Sequence, residues 1–369
     1  MSIFRKKTAN WAIGSLELPP ERWQRHVAAA SGWLRRSMAV TGGQGSAHSF
    51  SLRHGWSAAY PETTGYLIET LLRYADGLQD PALGAAARRC GAWLLDIQMP
   101  DGAYPGLLAG STRPSVFNTG QILFGLAALA ERDGDPEGRY RAALQRACAW
   151  MLRLLEPDGA WRQAAYVPGF VPSYLTRAVW GLLRANQILQ NPDYEAAMRH
   201  ALRYYALRFL PDGSVADCGF RAGEAAFTHT IAYTLEGFWE SALLLGEADI
   251  LDKTLRSAGQ LLAVCQAEGG MAGRYGDHWR SDQRFICCTG HAQFSLLFQR
   301  LGAHTGDTDF RRASDALLAA LLPLQSRLPL PGTRGALPGS WPLWGAYLPF
   351  RYPNWAQKFF LDALWHHKP

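Results

Sequence analysis

Pro100-Asp101-Gly102, Pro157-Asp158-Gly159 and Pro211-Asp212-Gly213 recur at nearly equal spacing, each just after an amphipathic stretch. Glu268-Gly269 is a weaker echo 56 residues past Gly213. Counting back from Gly102 reaches Gly45, inside Gly42-Gly43-Gln44-Gly45, and the last member is drawn out around Gly335 and Gly339. One period of about 56 residues running the length of the chain is the mark of a repeat architecture.

Each unit has the same parts. Helical stretches rich in Ala, Leu and Arg run over 21–39, 81–98, 137–156, 193–209, 249–266 and 307–325. Their apolar residues return at three and four (Trp93, Leu94, Ile97; Trp150, Leu154), which predicts amphipathic helices. The Asp-Gly is expected to stop each helix, because Gly tolerates the left-handed backbone of a C-terminal cap. After an aromatic and Gly-containing loop, a more apolar helix is predicted over 61–76, 116–131, 172–190, 227–245, 286–303 and 353–366. A helix apolar nearly all round is buried on both sides. Six such pairs therefore predict an all-α fold: an (α/α)6 toroid of six helical hairpins, an inner ring of helices wrapped by an outer one. An open solenoid would need polar capping repeats at its ends. The last helix, with Trp355, Phe359, Phe360, Leu361, Leu364 and Trp365, is as apolar as the middle ones, so closure is expected. The predicted organisation is an N-terminal extension over 1–20 and a single toroid domain over 21–369.

Composition agrees. Of 369 residues, 48% are hydrophobic and 18% charged, which excludes intrinsic disorder. The net charge of +6 comes from scattered Arg residues, with no basic stripe or nucleic-acid-binding module, so nucleic acid is not an expected partner. No run of about 18 apolar residues could span a bilayer, and Met-Ser-Ile-Phe-Arg-Lys-Lys-Thr lacks the apolar core of a signal peptide. A cytoplasmic protein with reduced thiols is expected; Cys90, Cys148 and Cys265 read as small buried hydrophobes.

In a ring of hairpins the inner helices all start at one end. Glu62, Asn118, Tyr174, His229, Cys288 and Asn354 occupy those starts, at spacings of 56, 56, 55, 59 and 66 residues. One turn deeper come Tyr66, Gln121, Arg177, Tyr233, His291 and Lys358. Thr63, Thr119 and Thr228 read as N-caps, whereas ionisable groups facing a closed axis must be paired or wet. Six helix starts also bring partial positive charge and free N–H donors to one opening. The loops above it are aromatic: Trp56, Tyr60, Tyr104, Trp161, Tyr166 and Phe170, then Tyr275, Trp279, Trp341, Trp344, Tyr347 and Tyr352. Rings around a polar cleft suit stacking on the apolar faces of sugars, although part of such a set would pack the loops instead.

Several strings resemble a bacterial family encoded among exopolysaccharide-biosynthesis genes and built as α/α toroids. They are Gly55-Trp-Ser-Ala-Ala-Tyr-Pro-Glu-Thr-Thr-Gly-Tyr66, Phe117-Asn-Thr-Gly-Gln121, Thr228-His-Thr-Ile-Ala-Tyr-Thr-Leu-Glu-Gly237, Cys288-Thr-Gly-His-Ala-Gln293 and Tyr352-Pro-Asn-Trp-Ala-Gln-Lys-Phe-Phe360. The family has Asn where this chain has His291. The resemblance implies a polysaccharide or oligosaccharide as substrate and contact with other exopolysaccharide-assembly enzymes. The outer-helix endings (Trp93 to Tyr104) are more distantly similar to the repeat of squalene-type cyclases, but their Asp-x-Asp-Asp motif is absent, which weighs against terpenoid cyclisation. Six-hairpin glycosidases share the same predicted architecture.

The leading expectation is an enzyme that cleaves or modifies an acidic polysaccharide or oligosaccharide, a glycoside hydrolase or a lyase. Hydrolysis needs two carboxyl groups flanking the bond. Glu62 is the first, and Asp101, Asp217, Glu236 or Asp277 the second. Elimination or epimerisation of a uronate needs a cation or amide on the carboxylate, a base and often a Tyr acid; Asn118 with Arg177, His229 and Tyr174 could supply them. Glu62, His229 and Tyr174 are thus the candidate catalytic groups. Trp56, Tyr60, Tyr66, Asn118, Gln121, Trp161, Arg177, Tyr233, Trp279, Gln293, Trp341, Trp344, Asn354 and Lys358 are the candidate sugar-binding groups. No cofactor is expected. Convergence of Cys218, Cys288 and His291 with His229 on zinc, as in other toroidal enzymes, is a lesser alternative. A glycan-binding scaffold without catalysis is another.

Overall fold

The computed structural model describes residues 15–133 and 135–369, so most of the expected N-terminal extension lies outside the described residues. The described residues form twelve α-helices. Six are outer: α1 (Pro20–Ala39), α3 (Pro81–Asp96), α5 (Arg139–Arg153), α7 (Pro192–Ala206), α9 (Ala248–Glu268) and α11 (Thr308–Leu321). Six are inner: α2 (Pro61–Leu78), α4 (Val116–Asp133), α6 (Thr176–Leu189), α8 (Thr228–Leu245), α10 (Cys288–Thr305) and α12 (Asn354–Trp365). Each inner helix packs on the next, and α12 packs on α2, so the inner ring is closed. The chain is an (α/α)6 toroid.

The hairpins join in the opposite sense to the repeat as read. Inner helices end on left-handed residues and pass straight into the next outer helix: Gln79 (φ 52°) then Asp80-Pro81, Gln190 (φ 56°) then Asn191-Pro192, Gly306 (φ 78°) then Asp307. Asp80 caps α3 by accepting from Ala82 N–H (3.0 Å), and Pro81 supplies the fixed φ of a first helical position. So short a link forces antiparallel packing of α2 on α3, α6 on α7 and α10 on α11, while α1 is left to pack on α12 and close the outer circuit.

Pro-Asp-Gly does not cap the outer helices, as its sequence suggests. Those helices end earlier, at Asp96, Arg153 and Ala206, because a residue before proline is pushed out of the helical region. The triplet instead builds a tight turn three times over. Gly102 N–H donates to Met99 O (2.9 Å), Gly159 N–H to Glu156 O (2.8 Å) and Gly213 N–H to Leu210 O (2.9 Å). Pro at the second position and Gly at the fourth are what a type I turn prefers. Each turn presses on the next outer helix in the chain: a Cβ on Gly102 (φ +100°) would lie 2.4 Å from Arg146 O of α5. The repeat therefore fastens neighbouring outer helices together. Gly102→Ala is expected to cost about 2–3 kcal/mol, from overpacking and an unfavourable φ together, read as a lower denaturant midpoint with unchanged slope.

The inner ring is tight. A Cβ on Gly125 would lie 2.1 Å from Gly65 O, and one on Gly181 2.0 Å from Gly120 O, so α2, α4 and α6 meet backbone to backbone. At the starts of the inner helices the connecting loops form a rim with short strands, which the helical periodicity did not predict. β1 (Ser49–Ser51) lies between β2 (Gly55–Trp56) and β8 (Arg351–Pro353). β3 (Ala226–Phe227), β4 (Arg274–Tyr275) and β5 (Ser281–Asp282) form a second ribbon, and β6 (Ile286–Cys287) pairs with β7 (Ser340–Trp341).

Candidate active site

A cavity of about 450 Å³ opens among the inner-helix starts. Four of the six inner helices contribute, Glu62 from α2, Phe117 from α4, His229, Thr230 and Tyr233 from α8, and Trp355 from α12, and the turn just before α6 adds Tyr174. Loops add His48, Tyr60, Tyr166, Phe220 and Phe227, and the 346–351 segment adds Ala346, Tyr347, Leu348, Pro349 and Arg351. The walls are aromatic and the polar groups few, as in most small-molecule sites.

Glu62 is 5% exposed. Burial raises its carboxyl to about 7, with the Tyr60 and Tyr166 hydroxyls and the Arg177 charge opposing that rise. Tyr166 Oη lies 3.4 Å from Glu62 Oε2, 3.2 Å from Tyr60 Oη, and also donates to Asn118 Oδ1. Asn118 is in turn fixed by its Nδ2, which donates to Pro105 O (2.9 Å). The carboxyl thus sits among three polar groups that its protonation state can reorganise.

His229 packs at a tilt against Tyr233, 4.3 Å between ring centres, and lies almost parallel to Trp355 at 6.4 Å. Its Nδ1 meets Gln293 Oε1 at 2.6 Å, so with that amide orientation Nδ1 carries the proton and Nε2 is an acceptor. Burial lowers the imidazole to about 3, against the raising effect of Gln293. The expectation of a base with an ordinary pKa is corrected by that desolvation. His48, 4.7 Å from Trp355, is lowered to about 4 by burial and then by the Arg351 charge.

The second tier is a plug beneath the cavity. Arg177 is 2% exposed, paired with Glu236, and donates from Nε to Gln121 Oε1 (2.7 Å). Its guanidinium lies 4.6 Å from the Tyr233 ring centre and 5.1 Å from that of Trp180. Lys358 is held by Asp362 at 2.6 Å. Tyr233 donates to Tyr66 Oη (3.0 Å), joining the cavity floor to this network. Arg177, Lys358, Gln121 and Tyr66 were expected to meet substrate. None of them lines the cavity, because each is satisfied by a protein partner in the barrel.

Other expectations are corrected by packing. Trp161 is fully buried, donating to Met151 O (2.9 Å) and stacked on Tyr205. Trp56 packs on Trp33 and Phe50, and Trp279 is buried against Tyr275. Asn354 donates to Ala47 O (2.9 Å) and is 1% exposed. Trp341 and Trp344 are exposed on the rim, beside the segment that lines the cavity. Thr63, Thr119 and Thr228 are not caps: their hydroxyls donate to carbonyls of Tyr60, Ser115 and Ala272. Among the proposed second carboxyls, Glu236 is taken by Arg177 and Arg300, Asp217 by Arg208, and neither Asp101 nor Asp277 reaches the cavity. Cys218, Cys288 and His291 do not gather with His229; among the described residues no three His, Cys, Asp or Glu side chains are placed to hold a metal. Cys218 donates to Val215 O and His291 meets Cys287 O. Among the cavity residues that helical periodicity missed, His48 and Phe220 sit on loops and Arg351 opens the short strand β8. Arg351 could have been flagged by its place three residues before an inner-helix start.

Buried neutral imidazoles carry a stability consequence. His48 and His291 are lowered to about 4 and His229 to about 3, all by burial first. Between those values and 6.5 the unfolded chain binds more protons than the folded one, so stability falls as pH drops through that window. Denaturant midpoints are expected to decline steeply from pH 6.5 to pH 4. His291→Gln should flatten part of that slope.

No protein-family profile and no curated protein matches the chain. Solved structures match over nearly its whole length. An unsaturated glucuronyl hydrolase specific for heparin is 16% identical with a TM-score of 0.74, covering 95% of this chain and 97% of the other. The unsaturated glucuronyl hydrolase of Bacillus sp. GL1 is 16% identical with a TM-score of 0.69, covering 93% and 96%. The cellobiose 2-epimerase of Bacillus thermoamylovorans is 10% identical with a TM-score of 0.70, covering 94% and 98%. At such identities the likeness is one of fold. Among the described residues no helix is long and apolar enough to cross a membrane.

Proposed function

We propose that this chain is a carbohydrate-active enzyme that transfers protons to and from the terminal sugar of an oligosaccharide, with Glu62 as the acid–base group. The observation that carries the reading is that Glu62 is the one carboxyl lining the cavity among the described residues, poised at about 7 by burial. A group poised near the working pH can both give and take a proton. A two-carboxylate glycosidase needs a partner some 5–9.5 Å away, and the candidate partners lie elsewhere.

A single acid–base group suffices to hydrate an unsaturated sugar. Glu62 protonates the ring C=C, and water adds to the oxocarbenium carbon as the carboxylate takes its proton. The resulting hemiketal then opens and releases the next sugar. The fold shared with unsaturated glucuronyl hydrolases supports this route. Tyr174, buried, and Tyr166, half-buried, both line the cavity and would orient the sugar. The exopolysaccharide context implied by the sequence strings fits such a substrate.

A second reading is epimerisation, favoured by two neutral imidazoles, His48 and His229, facing the same cavity and by the fold shared with a cellobiose 2-epimerase. Burial that lowers both makes them weak bases, which also weighs against elimination by His229. Incubation with unsaturated uronyl disaccharides, saturated acidic oligosaccharides and cellobiose separates the routes. Loss of double-bond absorbance with new reducing ends supports hydration. A gain of absorbance means elimination. A new epimer by NMR without cleavage means the second reading, and silence in all arms leaves a binding protein.

A further inference from the structure

The strands β1 and β8 build a corner of the cavity that the proton-transfer reading leaves without a task. Arg351 lines the cavity and is half-buried. Its backbone is locked: Arg351 pairs with Ser51 across the two strands, and its carbonyl accepts from Gly339 N–H at 2.8 Å. Its guanidinium is uncommitted. Among the described residues no carboxylate lies within ion-pair distance of it, and its one side-chain contact is a long one, Nη1 to Ser49 Oγ at 3.5 Å. Ser49 is fully buried, and its Oγ also meets His48 Nδ1 at 2.9 Å.

The other inward-facing cations are different. Arg177 is paired with Glu236, Arg300 with Glu236 and Glu240, and Lys358 with Asp362. Desolvating a cation is costly unless something neutralises it, and these three obey that rule where Arg351 does not. The remaining titratable cavity groups do not offset it: His48 and His229 are held neutral, and Glu62 is largely protonated below pH 7. The cavity therefore carries a single formal positive charge at its edge, with five donors in a planar fork suited to a carboxylate or sulfate.

We propose that Arg351, with Ser49 and His48 beside it, is the anion-reading corner of the site, so that the sugar bound in the cavity carries a carboxylate or a sulfate ester. This rests on the reading of the cavity as a sugar site and adds the substrate's charge class to it. Arg351 binds and selects, and it takes no part in proton transfer.

Calorimetric titration of the whole protein at pH 6.5 with glucuronic acid, glucose 6-sulfate and glucose tests it without requiring turnover. The protein is expected to bind at least one anionic sugar tenfold or more tighter than glucose, and which one identifies the anion. Arg351→Gln should abolish that preference, bringing the anionic sugar down to the affinity of glucose. Arg351→Lys should keep part of it, and raising the salt concentration should erode it in the parent protein. Equal binding of all three sugars by the parent, or an undiminished preference in a folded Arg351→Gln variant, overturns the inference alone. Absence of binding by any of the three overturns the sugar-site reading along with it.

Discussion

Glu62→Gln is expected to lower turnover of the cognate oligosaccharide by about 10²–10⁴-fold, the range a positioned acid–base group supplies, and to make the protein more stable above pH 7. The two effects share one cause. Burial holds the Glu62 carboxyl at about 7, well above its ordinary value near 4.5. Between those two values the folded chain binds more protons than the unfolded one, so this residue makes stability fall as pH rises through the window. Above pH 7 the folded protein holds a desolvated carboxylate at a cost of about 3 kcal/mol. The amide is nearly isosteric, can still accept from Tyr166, and never ionises. The difference in unfolding free energy between variant and parent is therefore expected to be near zero at pH 4 and to grow to about 3 kcal/mol by pH 8. Using the difference cancels the opposite slope that the buried histidines impose. A variant that folds and keeps full activity would remove Glu62 from the chemistry. A variant no more stable at pH 8 than at pH 4 would mean the carboxyl is ordinary.

Arg177→Met should be the most destabilising substitution in the inner ring, costing about 3–5 kcal/mol. Arg177 sits at the axis with its Nη1 on Glu236 and its Nε on Gln121, wrapped by the rings of Tyr66, Phe124, Trp180, Tyr233 and Phe359. Removing the guanidinium leaves Glu236, 4% exposed, with only the Arg300 contact at 3.1 Å. It also strips Gln121 of the donor to its oxygen, and the Nε2 of that side chain already lacks a partner among the described residues. The cost is that of an uncompensated buried charge rather than of a lost attraction. Arg177→Met combined with Glu236→Gln should therefore recover most of the loss, a coupling that double-mutant analysis of unfolding free energies reads directly. Additive losses would show that the pair does not act as a unit. Arg177 also opposes the rise of the Glu62 carboxyl, so the single variant should move the pH–rate profile upward.

The legible and illegible parts of this protein divide along a physical line. Helix positions followed from three-and-four spacing, and most predicted bounds fall within three residues of those observed. The Pro-Asp-Gly turns were recognised as punctuation, but their hydrogen bonds could not be read: a helix cap and a type I turn present the same residues, and only the neighbouring outer helix, pressed against Gly102, distinguishes them. Glu62, Tyr174 and His229 reach one cavity because a regular repeat carries equivalent positions to the same rim. Arg177, Gln121 and Lys358 have the same periodicity yet are consumed by protein partners: Arg177 by Glu236 of a neighbouring helix, Gln121 by Arg177, and Lys358 by Asp362 one turn further along its own helix. His48 lies on an irregular loop and Arg351 on the short rim strand β8, where the helical period says nothing of which way a side chain turns.

The sequence by itself determined the closed double ring and the end at which the inner helices open, because burial of an apolar face repeats wherever the pattern repeats. The tertiary structure alone decided which polar groups were left free. Whether a buried charge meets a ligand or a counter-ion depends on distances of a few ångströms between residues far apart in the chain, and hydrophobic periodicity carries no record of them.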